Sequence, residues 1–279
     1  MGSATQKALL NPMVAGDMVE LDRAECVAAG TSLHEQYNSN QPFPHIVMEN
    51  FLPMDVLRRV VEEFPKREQG KYADAHSNLK TGYQMEKIRS AYITNLHNAL
   101  NSSQFIEFLE EMTGIKGLFA DPHFAGGGLH ETARGGHLSI HADFNIHPRI
   151  KARRRMNLIL FLNEHWEDSF GGHLELWEKD MSACAHKVLP LMGRAVVFNT
   201  EDDSYHGHPD PTTNPPEIFR RSTALYYYTV PEGVIAERPR TTDFKVRPGS
   251  ADKAPSLGFR AKALAKDLTP PILGRHLFK

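Results

Sequence analysis

Cysteine is scarce in this chain: Cys26 and Cys184 are the only two in 279 residues. Two thiols so far apart make neither a disulfide framework nor a zinc knuckle, and they fit a reducing, cytoplasmic setting. Long apolar runs are missing too. No stretch approaches the roughly eighteen apolar residues of a membrane-spanning helix. No basic segment followed by an apolar run opens the chain, so no secretion signal is expected. Charge of one sign is also lacking. The formal net charge is −2 with acidic and basic residues interspersed, which excludes the electrostatic footprint of a nucleic-acid binder. One local basic run, Arg153-Arg154-Arg155, reads as a solvated loop before a strand. There is no internal repeat and no low-complexity tract, and nothing in the composition sets an oligomeric state.

What is present is 41% hydrophobic residues, enough for one large core, and 15 histidines. Several of these cluster between His123 and His147 and at His206 and His208. Composition and punctuation divide the chain into three expected parts. Residues 1–40 form a polar, irregular leader with a short helix near 18–29. Residues 41–231 form the main domain. Residues 232–279 form a basic, proline-rich extension with a last helix over 259–268.

Within the main domain, Pro42-Phe43-Pro44-His45-Ile46-Val47-Met48 reads as a strand opened by prolines. Val56, Leu57, Val60, Val61 and Phe64 recur at helical spacing after Pro53. Residues 66–90 are polar and aperiodic and read as loop. Phe105, Phe108, Leu109 and Met112 give residues 104–112 a helical face, with Ser102 or Ser103 to cap it and Gly114 to stop it. These helices carry no catalytic signal and are expected to cover the outside of a sheet.

After Pro122 the texture becomes short strands between glycine and polar turns. Gly126-Gly127-Gly128 lacks the Lys-Ser/Thr of a phosphate loop and reads as a flexible turn. His130-Glu131 lacks the histidine that a zinc protease needs at the place of Arg134. Residues 157–163 are almost continuously apolar, as in a strand covered on both faces. Gly171-Gly172 introduces the alternating His173-Leu174-Glu175-Leu176-Trp177, residues 194–199 make another strand, and residues 220–229 make a long aromatic one. Serial short strands with regular turns predict a mainly β jelly roll with flanking helices.

The motif that matters chemically is His141-Ala142-Asp143. Side chains two apart on an extended segment point to one face, so an imidazole and a carboxylate project together. Two such ligands and one distant histidine make a 2-His-1-carboxylate facial triad, which suits non-haem Fe(II) and leaves open positions. The third ligand has to come from a sequence-distant strand that a closed barrel brings alongside. His206 and His208, two apart at a strand end, both qualify.

The order "HADF", "NLILFLNEHWEDSFGGHLELW", "VVFNTEDDSYHGHP", "RRSTALYYYT" resembles the 2-oxoglutarate/Fe(II)-dependent dioxygenases, within them the prolyl-4-hydroxylase-like branch, over roughly residues 42–229. The resemblance implies a double-stranded β-helix (jelly roll, cupin-like). It implies Fe(II) held by His141, Asp143 and His206, with His206 favoured over His208. It also implies 2-oxoglutarate as co-substrate, gripped at its far carboxylate by Arg220 rather than Arg221. A guanidinium is a planar two-pronged donor that stays charged, and on strand alternation Arg220 shares a face with Ser222, Ala224 and Tyr226. Relatives carry a tyrosine hydroxyl at the place of Phe161, which has no donor; Asn157 or Ser222 is expected to supply that contact.

The activity implied is hydroxylation of an unactivated C–H with O2, yielding succinate and CO2. The substrate is a small-molecule, amino-acid-derived, carrier-linked or peptidyl compound. Substrate-facing loops are expected at residues 66–90, 130–136 and 151–155, with Arg153 or Arg154 available to an acidic substrate group. A non-catalytic or hydrolytic cupin-like metalloprotein is the rival reading.

Overall fold

Hydrophobic alternation along the long strands decides which side chains enter the barrel and which meet the helices. In the computed structural model, which describes residues 7–66, 77–231 and 239–252, the chain opens with β1 (Met13–Ala15), β2 (Met18–Glu20), α1 (Arg23–Ser39), β3 (His45–Met48), α2 (Met54–Glu62) and β4 (Ser77–Tyr83). Helices α3 (Ala91–Leu100) and α4 (Ser103–Thr113) follow, then β5 (Phe119–Ala120), β6 (Gly128–Ala142), β7 (Arg153–Phe161) and β8 (Leu174–Trp177). The last strands are β9 (Cys184–Val188), β10 (Ala195–Asn199), β11 (His206–His208), β12 (Arg220–Thr229) and β13 (Asp243–Phe244).

β1 and β2 form a separate hairpin. The other strands form one sheet in the order β3-β10-β7-β12-β6-β11-β8-β9, with β4 and β13 also on β6 and β5 on β12. β6 is the turning point. Its first half pairs with β12, from Arg220↔Thr132 to Ala224↔Gly128, and its second half pairs with β11 at His206↔His141. The sheet thereby closes on itself into a nearly complete jelly-roll barrel, the predicted double-stranded β-helix.

On β7, Met156, Leu158 and Leu160 join the core shared with the helices, whereas Phe161 and Ile159 belong to the barrel interior with Phe43, Leu176 and Phe198. Both faces of β7 are therefore covered, which is why its sequence is a nearly unbroken apolar run. α4 follows its sequence signals closely. The Ser102 side chain accepts from the Phe105 amide, and Gly114 closes the helix at φ 76°. Among the described residues no helix is long and apolar enough to cross a membrane.

Four expectations change. From residue 7 on the leader is not irregular: Met18–Glu20 is a strand, and α1 begins after Asp22, whose carboxylate accepts from the Glu25 amide at 2.7 Å. α1 runs past the expected end at residue 29, on to Ser39 through Gly30. A Cβ there would lie 2.4 Å from the Phe108 carbonyl oxygen, so this glycine permits close approach to α4. Residues 66–90 are not all loop, because β4 pairs along β6. Residues 130–136, expected as a loop, are the first half of β6 itself. The predicted helix over 259–268 lies outside the described residues.

Candidate active site

β6 and β11 lie side by side with His206 opposite His141, and this register brings together ligands from distant parts of the chain. One ligand atom each from His141, Asp143 and His206 lies within 4.8 Å of the others. The imidazole centroids are 4.4 Å apart. Asp143 Oδ1 is 3.6 Å from His141 Nε2, and its Oδ2 is 3.4 Å from His206 Nε2.

The two imidazoles are oriented alike. His141 Nδ1 meets the Ser139 carbonyl at 2.9 Å and His206 Nδ1 meets the Ser204 carbonyl at 3.0 Å. A carbonyl only accepts, so Nδ1 carries the proton and Nε2 presents its lone pair to the centre. Burial, with His141 adding to it, lowers the His206 pKa to about 3, which keeps this ring neutral. The donor set fits a 2-His-1-carboxylate iron centre with positions left open.

β11 can approach β6 this closely because of Gly207. A Cβ there would stand 2.8 Å from the carbonyl oxygens of both Leu138 and Ser139. Gly207→Ala is expected to push β11 off β6, costing about 1–3 kcal/mol of stability and loosening His206. A lowered thermal midpoint together with weakened metal affinity in calorimetry checks this.

Asp143 is held by a residue that sequence reading misjudged. Arg154 is not in a solvated loop; it is 1% exposed. Its Nη2 lies 3.0 Å from Asp143 Oδ2, and its Nε donates to Asn157 Oδ1 at 3.0 Å. The guanidinium sits 3.6 Å over the Tyr226 ring. Asn157 donates from Nδ2 to Asp143 Oδ2 at 2.7 Å. Both donors fall on Oδ2. Burial alone would raise the Asp143 pKa, but the Arg154 guanidinium, with the two ligand imidazoles beside it, outweighs it and holds the carboxyl well below its usual range.

Asn157 thus braces Asp143, and it also lines the pocket that continues from the ligands. Strand alternation missed Arg154 because of a register shift. Tyr227 pairs with Met156 but Tyr228 pairs with Arg154, so Arg155 is the extra residue of a bulge that re-aims its neighbour.

The pocket continues from the ligands along the barrel axis, lined by Lys80, His130, His208, Arg220, Ser222 and Tyr226 among others. Arg220 is buried, donates from Nε to the Gly172 carbonyl at 2.7 Å and lies over the Phe161 ring. Burial lowers its pKa to about 9. Arg221 faces away, paired with Glu131 at 3.0 Å and stacked on Phe64. His208 points into the pocket but stands outside the ligand group. Lys80 and His130 also line the pocket; Lys80 was hidden in a segment read as loop and His130 in a discarded protease motif. A larger surface concavity of about 390 Å³, lined by Arg58, Glu164, Trp166 and Arg221, lies elsewhere and contains no metal-ligand group.

β13 adds a wall beside the ligands. Phe244 pairs with His141 and its ring lies 5.4 Å from that imidazole. Arg240 donates to the Asp143 carbonyl at 3.0 Å and to Asp202 at 2.9 Å.

Residues 127–228 match the family model described as the 2OG-Fe(II) oxygenase superfamily. No curated protein matches the chain. Among solved structures, the chain is similar to a prolyl hydroxylase from Trichoplax adhaerens in complex with a hypoxia inducible factor peptide fragment. The identity is 15%, covering 74% of this chain and 91% of that one, with a TM-score of 0.51. A Pseudomonas putida prolyl-4-hydroxylase is 18% identical over 73% of this chain and 100% of its own, with a TM-score of 0.41. HygX from Streptomyces hygroscopicus, with nickel and 2-oxoglutarate bound, is 9% identical over 71% and 86%, with a TM-score of 0.48. The Trichoplax likeness is one of fold.

Proposed function

Because residues 127–228 match the 2OG-Fe(II) oxygenase superfamily, we propose that the chain is an Fe(II)- and 2-oxoglutarate-dependent hydroxylase of an unactivated C–H in a small-molecule, carrier-linked or peptidyl substrate. The observation that carries this reading is the convergence of His141, Asp143 and His206 on one point, at one end of a pocket whose other end presents Arg220. When bound, Fe(II) and 2-oxoglutarate supply the oxidising chemistry: one atom of O2 enters the product, and the co-substrate leaves as succinate and CO2.

The chain's own residues bind, orient and enclose. His141 and His206 offer fixed Nε2 lone pairs, and Asp143 offers one oxygen while Arg154 and Asn157 hold the other. Arg220 takes the far carboxylate of 2-oxoglutarate through paired charge-assisted hydrogen bonds, and Ser222, on the same face of β12, lies beside it. Phe161, Ile159 and Leu174 supply apolar wall that keeps water from the reacting end. The protein contributes orientation and electrostatics, while the oxidising power is the cofactor's.

The test is an anaerobic optical titration of the apoprotein with Fe(II) and then 2-oxoglutarate. A visible charge-transfer band that needs both additions is the expected result; bound metal with no band would instead favour a hydrolytic or non-catalytic cupin-like protein. Admitting O2 with a substrate panel should then give succinate and a product heavier by one oxygen. In the same titration His206→Ala is expected to lose Fe(II) affinity by about 100-fold or more, as loss of a ligand exceeds the 10–100-fold typical of an outer-shell partner. His208→Ala should bind Fe(II) normally, and the reverse pattern would exchange their roles.

A further inference from the structure

β4 and β12 flank β6 from opposite sides, and one row of the sheet runs Lys80–Thr132–Arg220, because both outer residues take Thr132 as their register partner. Residues opposite one another on adjacent strands face the same way. The neighbouring row, Thr81–Glu131–Arg221, faces outward, where Glu131 and Arg221 pair. The Lys80 row therefore faces inward, and Lys80 lines the pocket with His208, Arg220 and Ser222. Two strand spacings, about 10 Å, separate the backbones of Lys80 and Arg220, so their long side chains converge on a group lying between them.

The charges there are unbalanced. Among the described residues, the one carboxylate lining the pocket is Asp143, which is at the metal end and already engaged by Arg154. Arg220 has its Nε on a neutral carbonyl, and neither cation has an acidic partner among the described residues. Burial, reinforced by the charge of Arg220, lowers the Lys80 pKa to about 8. His208 is 3% exposed, and neither ring nitrogen has a partner among the described residues. An imidazole in either protonation state has at least one N–H to donate. Two cations and an unpaired donor around one space call for an anion with several acceptor lone pairs.

We propose that Lys80 is a second cation on the distal carboxylate of the 2-oxo dicarboxylate, closing with Arg220 a two-cation clamp into which His208 donates. This rests on the co-substrate reading above. The clamp sets specificity: a 2-oxo acid with a neutral tail leaves the buried Arg220 and the half-buried Lys80 unmatched, which costs more than losing one exposed contact. It also replaces the donor missing at Phe161.

The experiment is anaerobic calorimetric binding of 2-oxoglutarate and of 2-oxopentanoate, the same chain without the far carboxylate, to the Fe(II)-loaded protein. Lys80→Met keeps the apolar stem and removes the charge. It is expected to weaken 2-oxoglutarate binding by at least about tenfold, as for removal of one partner from a buried charged pair. Binding of 2-oxopentanoate should be unchanged or tighter, and Lys80→Arg should restore most of the 2-oxoglutarate affinity. Unchanged 2-oxoglutarate affinity in Lys80→Met, or equal weakening of both ligands, overturns the clamp. If the unmodified protein binds neither acid, the co-substrate reading itself falls, and the clamp with it.

Discussion

Asp143→Ala is expected to abolish 2-oxoglutarate turnover and also to destabilise the protein, whereas His141→Ala and His206→Ala abolish turnover with little loss of stability. The difference lies in what each side chain leaves behind. The histidines bond through Nδ1 to backbone carbonyls at the edge of the site, and water entering an emptied ligand position can replace that bond. Asp143 is the counter-charge of Arg154, which is buried at 1% exposure between Tyr226 and Phe144. Removing one partner of a buried pair costs about 3–5 kcal/mol because the other charge is left uncompensated, which for a domain of this size lowers the midpoint by roughly 10 °C.

Thermal melts of the metal-free variants measure this directly. The double variant Asp143→Ala/Arg154→Met should recover much of the stability and none of the turnover. If Asp143→Ala melts with the histidine variants, the Arg154 pair contributes nothing to the fold.

Arg220→Ala is expected to weaken 2-oxoglutarate binding by about 30-fold to several thousand-fold, the span of 2–5 kcal/mol for a buried charged partner, while Fe(II) affinity stays within a factor of a few. Arg220 lies at the opposite end of the pocket from the three ligands, so the two affinities separate. Arg221→Ala is the control. Its guanidinium pairs with Glu131 on the outer face, so its loss should affect stability alone. Equal loss of Fe(II) and 2-oxoglutarate affinity in Arg220→Ala would mean that the residue holds the barrel together rather than the co-substrate.

The ligand pattern was legible in the sequence because it depends on spacing. His141 and Asp143 are two apart at the end of one strand, His206 opens another, and Arg220 opens a third with Ser222 on the same face. Local periodicity also marked α2, α4, β7, β10 and β12, since burial on one face or both leaves a direct imprint on residue order. Three features left no such imprint. α1 is polar along most of its length and buries only Cys26, Gly30 and Tyr37, so its helical face is too thin to read. β4 is short of apolar residues because its role is to pair with β6. Arg154 sits one position out of alternation because of a bulge that only the partner strand reveals.

By itself, then, the sequence pointed to the jelly-roll class through strand periodicity and, through the family resemblance, to His141, Asp143 and His206 as proposed ligands and to Arg220 rather than Arg221. The tertiary structure alone decided which groups surround those residues. Register across β4, β6 and β12 put Lys80 in line with Arg220, and the bulge on β7 turned Arg154 from a surface run onto Asp143. Such neighbours are set by how strands pair over long sequence distances, and no local pattern of residues encodes that pairing.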